Sequence, residues 1–466
     1  MAKLTFWGAT KGVTGSKYLL ETGHATILLD CGLLQGSRKD ESGNQKPFPF
    51  DVRKIDAVVL SHGHLDHSGQ LPRLAADGYS GPIHLTSPTG ELLEILLRDA
   101  AFLHFRDVEW ENKRRKRAGK KEIEPLYSIE NVEDVLAQCE GSAYGSRREI
   151  ARGIEVCFRD AGHILGSAIV ELFITEAGVE KKLVFSGDLG NSQVALLRDP
   201  EPVKQADVLL LESTYGDREH RSMDETLEEL EAIIAEASKS GGNILIPSFA
   251  VGRTQELIFR LGELYQKGKL KHQRIFLDSP MAIATTKVYS HFQNVYNTED
   301  VNTIRQGAIG TLKTFLPVLR YSQTTEESMA LNRIEAGAIF IAGSGMCNGG
   351  RIRHHLKHNV WRRDAHVIII GYQAYGTPGR ALVDGAKTFN IAGEKVAVNA
   401  KIHTLGGFSA HASQSQLLEW ASHFEEPRPR LHLIHGDAEA KTALSKRFHH
   451  LGWAAKIPEY GESISF

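Results

Sequence analysis

Ile55-Asp-Ala-Val-Val-Leu-Ser61-His62-Gly63-His64-Leu65-Asp66-His67 is the stretch that decides the fold. Its first seven residues form a near-continuous apolar run, the pattern of a strand buried on both faces, so the residues after it lie at the rim of a sheet. There His62, His64, Asp66 and His67 place four ligand-type side chains within six residues. A helix would put His64 and Asp66 on different faces. A tight turn can direct His62 and His64 to one ion and Asp66 and His67 to another. Imidazole and carboxylate without thiolate suit Zn²⁺, Mn²⁺ or Fe²⁺, and the abundance of nitrogen favours zinc.

Further candidate ligands also come just after apolar runs: His163 in Asp160-Ala-Gly-His-Ile-Leu-Gly-Ser-Ala, Asp188 in Phe185-Ser-Gly-Asp-Leu-Gly, and His435 in Leu433-Ile-His-Gly-Asp. Singly, each is as easily structural as functional; together with the first cluster they complete a site. Cys31, Cys139, Cys157 and Cys347 form no CxxC pair and read as reduced thiols, neither a disulfide framework nor a cysteine zinc site.

Outward from this centre, the N-terminal third reads as short strands joined by glycine turns, Leu4–Trp7, Ser16–Glu21 and Ala25–Asp30 preceding Ile55–Ser61. Helical periodicity begins at Thr89, with a later helix over Ile129–Leu136 and the basic run Lys113–Lys121 between them as a solvated helix end or loop, or a patch facing RNA. Strands return at Ile154–Phe158, Ala168–Ile174, Lys182–Ser186 and Val208–Glu212. From Met223 strands and helices alternate (helices Met223–Ser238 and Arg253–Gln266, strands Asn243–Pro247 and Arg274–Asp278), which predicts βαβ units and a parallel sheet. After about Lys387 short strands resume, Lys395–Ile402 and Arg430–Ile434, so one domain is predicted to be inserted into another.

The 466 residues carry 55 Lys+Arg against 57 Asp+Glu, a formal charge of −2 that argues against a uniformly basic nucleic-acid coat but not against a local groove. Balanced charge and 41% hydrophobic residues exclude a disordered or collagen-like chain. No apolar run approaches a membrane span and no secretory leader is visible, so the expected location is the cytoplasm, with no membrane partner. Gly8-Ala-Thr-Lys-Gly-Val-Thr-Gly-Ser-Lys comes after a strand but departs from the phosphate-loop pattern, because Lys17 stands after Ser16; a hairpin turn fits better.

The ordered motifs resemble the metallo-β-lactamase superfamily, whose HxHxDH signature stands here as His62, His64, Asp66 and His67, preceded by Asp30 in Leu28-Leu-Asp-Cys-Gly and followed by His163 and Asp188. Glu212 in Leu211-Glu-Ser-Thr-Tyr-Gly, His411 in Gly407-Phe-Ser-Ala-His-Ala and His435 in Ile434-His-Gly are similar to the three late motifs of the β-CASP nucleases. Pro247–Glu256, Gly343–Arg351 and Gly371–Arg380 resemble further blocks of that family. The nearest subgroup by pattern is the short bacterial relatives of the cleavage-and-polyadenylation endonuclease, since neither the KH domains of archaeal relatives nor the added C-terminal domain of the RNase J enzymes is seen.

The resemblance implies an α/β protein, a metallo-β-lactamase αββα sandwich (1–210 and 395–466) with an inserted α/β β-CASP domain (211–394). It implies two zinc ions, with manganese as the alternative, one held by His62, His64 and His163, the other by Asp66, His67 and His435, and Asp188 between them. Asp30 is left to orient a ligand imidazole. The implied activity is a ribonuclease that hydrolyses phosphodiesters of single-stranded RNA, endonucleolytic first, with a hydroxide between the metals as nucleophile, Asp66 orienting it, His411 as general acid and Glu212 holding His411. The alternatives are a 5′-to-3′ exoribonuclease, a catalytically weak RNA-binding subunit, and a small-molecule metallohydrolase. His435 at the third late position goes with RNA-directed members. Glycines in the 343–350 block would let backbone N–H groups approach a phosphate, and Ser248, Arg253, Ser344, Gly345, Met346, Arg351, Arg380 and Ser409 are the expected RNA contacts. A homodimer is carried as a further expectation.

Overall fold

The computed structural model describes residues 1–36, 38–272, 274–305, 310–391 and 393–466. They divide into two compact units: Met1–Ser192, Asp199–Glu219 and His411–Phe466 in one, Gln193–Arg198 and His220–Ala410 in the other.

The first unit has two sheets. One runs in the order Ser463–Ser465, Lys3–Phe6, Tyr18–Glu21, Thr26–Leu29, Ala57–Val59, Ile83–Thr86, Cys139–Ser142; the other runs Arg430–Leu433, Val208–Leu211, Val179–Phe185, Ala168–Glu176, Ile154–Asp160, Arg148–Ala151. Alternation along the strands sorts side chains into three layers. Leu4, Phe6, Tyr18, Ile27 and Val59 of the first sheet meet Val156, Phe158, Val170, Leu172 and Leu210 of the second in the central core. The opposite faces carry Leu28, Val58 and Leu85 against Leu93, Leu97, Val132 and Val135 of helices, and Val184, Leu209 and Leu433 against Leu417, Trp420, Leu444 and Phe448. This is the αββα sandwich.

The strand Ala57–Val59 is buried on both faces and lies parallel to Thr26–Leu29 and Ile83–Thr86, which is why its sequence lacks alternation. The helix after Ile83–Thr86 is longer than the sequence suggests. It runs Ser87–Arg117, capped by the Thr86 side chain, and includes the first half of the basic run. Its last turn holds Arg114, Arg115, Lys116 and Arg117, charges that the carbonyl end of a helix favours.

The second unit is built on a six-stranded sheet, Leu319–Tyr321, Arg274–Leu277, Ala338–Ala342, Ile244–Pro247, His366–Ile369, Lys401–Thr404, parallel throughout. Its helices begin and end on the expected signals: Ser222 caps Met223–Ser240, which stops at Gly241 in the left-handed conformation. Lys401–Thr404, which by sequence belongs after the return to the first domain, is the edge strand of this sheet instead, and the chain re-enters the first unit at His411. The four cysteines form no disulfide, and Cys31, Cys157 and Cys347 are buried. Among the described residues no helix is long and apolar enough to cross a membrane.

Candidate metal centre

The ligand-type side chains of the first unit converge at the strand ends where the sequence predicts them. The turn after Ala57–Val59 carries His62 and His64, and a single helical turn, Leu65–Ser68, carries Asp66 and His67. His163 comes after Ile154–Asp160, Asp188 after Val179–Phe185, and His435 after Arg430–Leu433. Gly32 lies under the turn: a Cβ there would stand 1.6 Å from the Asp66 carbonyl oxygen, so only glycine permits the backbone approach.

Two ligand groups result, His62, His64, His163 and Asp188, and Asp66, His67, Asp188 and His435, with donor atoms within 4.8 Å of one another in each. Asp188 belongs to both. Its Oδ2 faces His62 Nε2 at 3.5 Å and His163 Nε2 at 3.7 Å, while Oδ1 faces His67 Nε2 and His435 Nδ1, each at 3.3 Å. Within the groups His64 Nδ1 stands 3.2 Å from His62 Nε2 and 3.1 Å from His163 Nε2, and His67 Nε2 stands 3.1 Å from His435 Nε2.

The set fits a pair of divalent cations. Asp188 Oδ1 is buried with no hydrogen-bond partner, which costs free energy unless something positive shares it. Five imidazoles and two carboxylates gathered in one site are the hard-to-borderline donor set that zinc and manganese take.

Behind the ligands, Asp30 fixes His67. Its Oδ2 accepts from His67 Nδ1 at 2.6 Å and from the Ser16 and Ser61 hydroxyls at 3.0 Å, and its Oδ1 accepts the Ser61 N–H at 2.8 Å. With Nδ1 engaged by Asp30, His67 turns Nε2 inward as the nitrogen that would meet a cation. Asp30 itself sits at φ 56°, a conformation Asp tolerates better than most residues.

Beside the pair, Asp188, Glu212 and His411 form a third group. Glu212 is buried. Its Oε1 accepts from Leu189 N at 2.8 Å and His411 Nδ1 at 3.2 Å, and its Oε2 accepts from Thr214 N at 3.1 Å. His411 is half-buried and reaches Asp188 Oδ2 at 3.9 Å.

Electrostatics separate the imidazoles. Burial, reinforced by the neighbouring His67, holds His62 well below the ordinary histidine range, and burial lowers His64. His67 and His411 go the other way. Burial would depress both, yet Asp188 and Asp30 hold His67 well above its usual value, and Glu212 with Asp188 pushes His411 up to about 9. The carboxylates respond in kind. Burial alone would raise Asp66 and Asp188, but the surrounding imidazoles outweigh it, bringing Asp66 down to about 2 and Asp188 well below the carboxylate range.

A different imidazole cluster, Glu236, His366 and His403 in the second unit, also has its donor atoms close together. His366 Nδ1 and His403 Nε2 are 3.0 Å apart with ring planes at 4° and centroids 5.2 Å apart. The rings are coplanar and meet tip to tip, the geometry of one N–H···N hydrogen bond, whereas His62, His64 and His163 meet at 78–80° and converge.

The expected RNA-contact residues all lie in the second unit. The three blocks that contain most of them come after Ile244–Pro247, Ala338–Ala342 and His366–Ile369, at the carboxyl ends of parallel strands where ligands of open α/β sheets bind. They interlock: Gln373 donates to the Gly345 carbonyl at 2.9 Å, Gly379 N–H to the Met346 carbonyl at 3.1 Å, and Thr254 Oγ1 to Ser248 Oγ at 2.9 Å. Ser344 Oγ donates to Asn348 Oδ1 at 2.7 Å and accepts from Gly349 N.

The arginines differ from a set of free cationic donors. Arg253 is 6% exposed and paired with Glu256, and Arg351 reaches Asp278 at 2.8 Å and the carbonyls of Ser322 and Gln323. Arg380 pairs with Asp384 at 2.8 Å but stays exposed on its side chain. Ser409 is the last residue but one of the unit, two residues before His411. Three residues that the sequence motifs do not single out, Phe249, Tyr372 and Tyr375, stand exposed in these same blocks. Their position beside glycine blocks is the one signal of them in the sequence. The hairpin from Gly8 to Lys17 lines a cavity of about 580 Å³, and its Lys17 ammonium is buried on the Gly32 carbonyl and Gln70.

Comparison with known proteins agrees with this geometry. The chain matches the metallo-beta-lactamase superfamily over residues 11–134, the Beta-Casp domain over 254–382, and the Zn-dependent metallo-hydrolase RNA specificity domain over 395–458. Ribonuclease TTHA0252 of Thermus thermophilus is 39% identical over 98% of each chain. Transcription termination factor FttA of Methanosarcina mazei is 31% identical over 95% of this chain and 68% of its own length. A solved protein of unknown function from Enterococcus faecalis V583 shares the fold over 99% of both chains, with a TM-score of 0.56 at 14% identity. With the sandwich, the insertion and a relative matched from end to end, the chain belongs to the β-CASP ribonuclease family of the metallo-β-lactamase superfamily.

Proposed function

We propose that the protein is a two-zinc endoribonuclease acting on single-stranded RNA and leaving 5′-phosphate and 3′-hydroxyl ends. The observation that carries the reading is the Asp188 carboxylate, which turns one oxygen to each ligand group while His411, supported by Glu212, stands beside it. His62, His64 and His163 would hold one cation, Asp66, His67 and His435 the other, with Asp188 shared. Bound there, two divalent cations would supply Lewis acidity to a phosphate and acidify water.

The remaining work falls to the chain. Asp66, ionised down to about pH 2, can align a water as well as ligate. Glu212 accepts the Nδ1 proton of His411, so Nε2 is the nitrogen that would protonate the departing ribose oxygen, and the Glu212 carboxylate favours the protonated imidazole. The loops that hold Ser248, Ser344, Gly345 and Met346 offer backbone and hydroxyl groups to RNA phosphates, Arg380 and Ser409 add to them, and Phe249, Tyr372 and Tyr375 offer faces for bases. Arg253 and Arg351 act here by bracing those loops through Glu256 and Asp278.

The test is incubation of zinc-loaded protein with matched circular and linear unstructured RNA. Cleavage of both, lost in His62→Ala and on chelation, is expected. Cleavage of the linear form alone would replace this reading by exonucleolytic trimming. No cleavage of either, with RNA affinity that survives chelation, would leave a binding subunit.

A further inference from the structure

The C-terminal half of the Ser87–Arg117 helix is built unlike the rest of the first unit. Its first half buries Leu92, Leu93, Leu96, Leu97 and Ala101, but from Phe102 to Arg117 no residue is buried. One face of this half is covered by the returning chain. Asn112 exchanges two 2.8 Å hydrogen bonds with the Ile123 backbone, Leu126 N–H donates to His104 Nε2 at 3.0 Å, and His104 stacks on Tyr127.

The other face is bare and carries large aromatic side chains among its charges. Phe102 is 58% exposed and Trp110 62%. Phe102, Arg106, Trp110 and Arg114 succeed one another at intervals of four, so at 100° per residue they share one stripe, with Lys113 and Arg117 beside it. Arg106 lies over the Phe102 ring at 5.5 Å and Arg114 over the Trp110 ring at 5.8 Å. Two large aromatic faces in water, each with a guanidinium over it, alternate with charge that is positive on balance: Lys113 pairs with Glu109 at 2.9 Å and Arg114 with Glu111 at 3.5 Å, but six cations from Arg106 to Arg117 outnumber Asp107, Glu109 and Glu111.

We propose that this face is a second binding surface for single-stranded RNA, with Phe102 and Trp110 as stacking platforms for bases and Arg106, Lys113, Arg114 and Arg117 holding phosphates. Single-stranded binding sites pair a cationic track with sequence-tolerant aromatic stacking. Charge selects the occupant: two copies of this face would bring their cations together, whereas a polyanion neutralises them. The two rings are about 12 Å apart along the axis, room for three or four stacked nucleotides. The helix packs against the metal turn at Leu92 and Leu96, below Gly63, so Trp110 stands about 27 Å further along it than Leu92. RNA held here is therefore well removed from the bond being cut, and the surface acts on affinity for long substrates and not on the chemical step.

This inference rests on the ribonuclease reading for its substrate, and the experiment separates the two. Full-length, zinc-loaded wild type, Phe102→Ala/Trp110→Ala, Trp110→Phe and Arg106→Gln/Arg114→Gln are compared on an unstructured 30-nucleotide RNA and on a tetranucleotide. Binding of the 30-mer is measured separately by fluorescence anisotropy, and mass by sedimentation. The aromatic double variant should raise KM for the 30-mer about 10-fold with kcat unchanged, and leave the tetranucleotide unaffected. Trp110→Phe should retain most of the affinity. The arginine variant should reduce the slope of log affinity against log salt by about 2. Equal 30-mer affinity in wild type and the aromatic variant overturns the proposal. So does an equal loss on the tetranucleotide, or a wild-type dimer that the aromatic variant dissociates with RNA affinity intact. If wild type cleaves neither RNA, the ribonuclease reading falls, and the anisotropy comparison still decides the helix face.

Discussion

Replacing Asp30 by Asn tests the metal centre through one proton. The change is nearly isosteric and keeps a side chain that tolerates the positive φ of 56° at this position. The Ser61 backbone N–H can only donate, so the amide must turn its oxygen to that side and its NH₂ to the side where His67 Nδ1 stands at 2.6 Å. The Ser16 and Ser61 hydroxyls can rotate to accept. His67 can accept only by moving its own proton to Nε2, the atom that faces Asp188 and His435. A ligand would become a donor pointed at the cation. Loss of such an outer partner weakens metal binding by roughly 10–100-fold, about 1.4–2.7 kcal/mol. Only the Asp66, His67 and His435 group should suffer. The assay is metal content by mass spectrometry across a graded series of competing chelator, together with RNA cleavage at low and high zinc. One cation lost early and one retained, with activity recovered at high zinc, is expected. Equal retention of both cations would refute the argument; equal loss of both with a collapsed melting curve would show a folding defect instead.

The geometry sets three further outcomes. His411→Ala should slow cleavage by about 10²–10⁴-fold with metal content unchanged, because its Nδ1 is engaged by Glu212 and its proposed task is proton transfer; metal loss would make it a ligand. Gly32→Ala should lower both stability, by about 1–3 kcal/mol in a denaturant melt, and metal content, because its Cβ would stand 1.6 Å from the Asp66 carbonyl oxygen. In the second unit burial would raise Asp278, but hydrogen bonds from His355, Ser328 and Arg351 bring it down to about 2. A carboxyl depressed on folding stabilises above its unfolded pKa near 4 and loses that contribution as pH falls through about 2. Wild type and Asp278→Asn should therefore converge by at most about 2 kcal/mol over that window in pH-dependent melts.

Legibility in the sequence depends on how local the cause is. The turn from His62 to His67 announces itself because its ligands are neighbours, and Arg253–Gln266 is bounded in sequence as it is in space. Other features depend on distant partners. Arg351 looks like a phosphate ligand until Asp278, far off in the chain, is found against it; the Glu256 partner of Arg253 is only three residues on and is visible in the sequence itself. Lys401–Thr404 carries no mark of which sheet it joins, since that is decided by pairing with His366–Ile369. By composition the basic run reads equally as a helix end or a loop, and the choice is made by the Thr86 cap and the contacts of Asn112 and His104, which carry one helix through its first half.

The order of the ligands along the chain sets a schedule for assembly. His62, His64, His163 and Asp188 all precede the second unit, whereas His411 and His435 come after it. A chain emerging from the ribosome therefore presents early the residues that would hold one cation, but must make the whole inserted unit before the strand Arg430–Leu433 can dock beside Val208–Leu211 and bring in His435. The site proposed for the second cation is thus incomplete until the segment that follows the inserted unit has been made and docked.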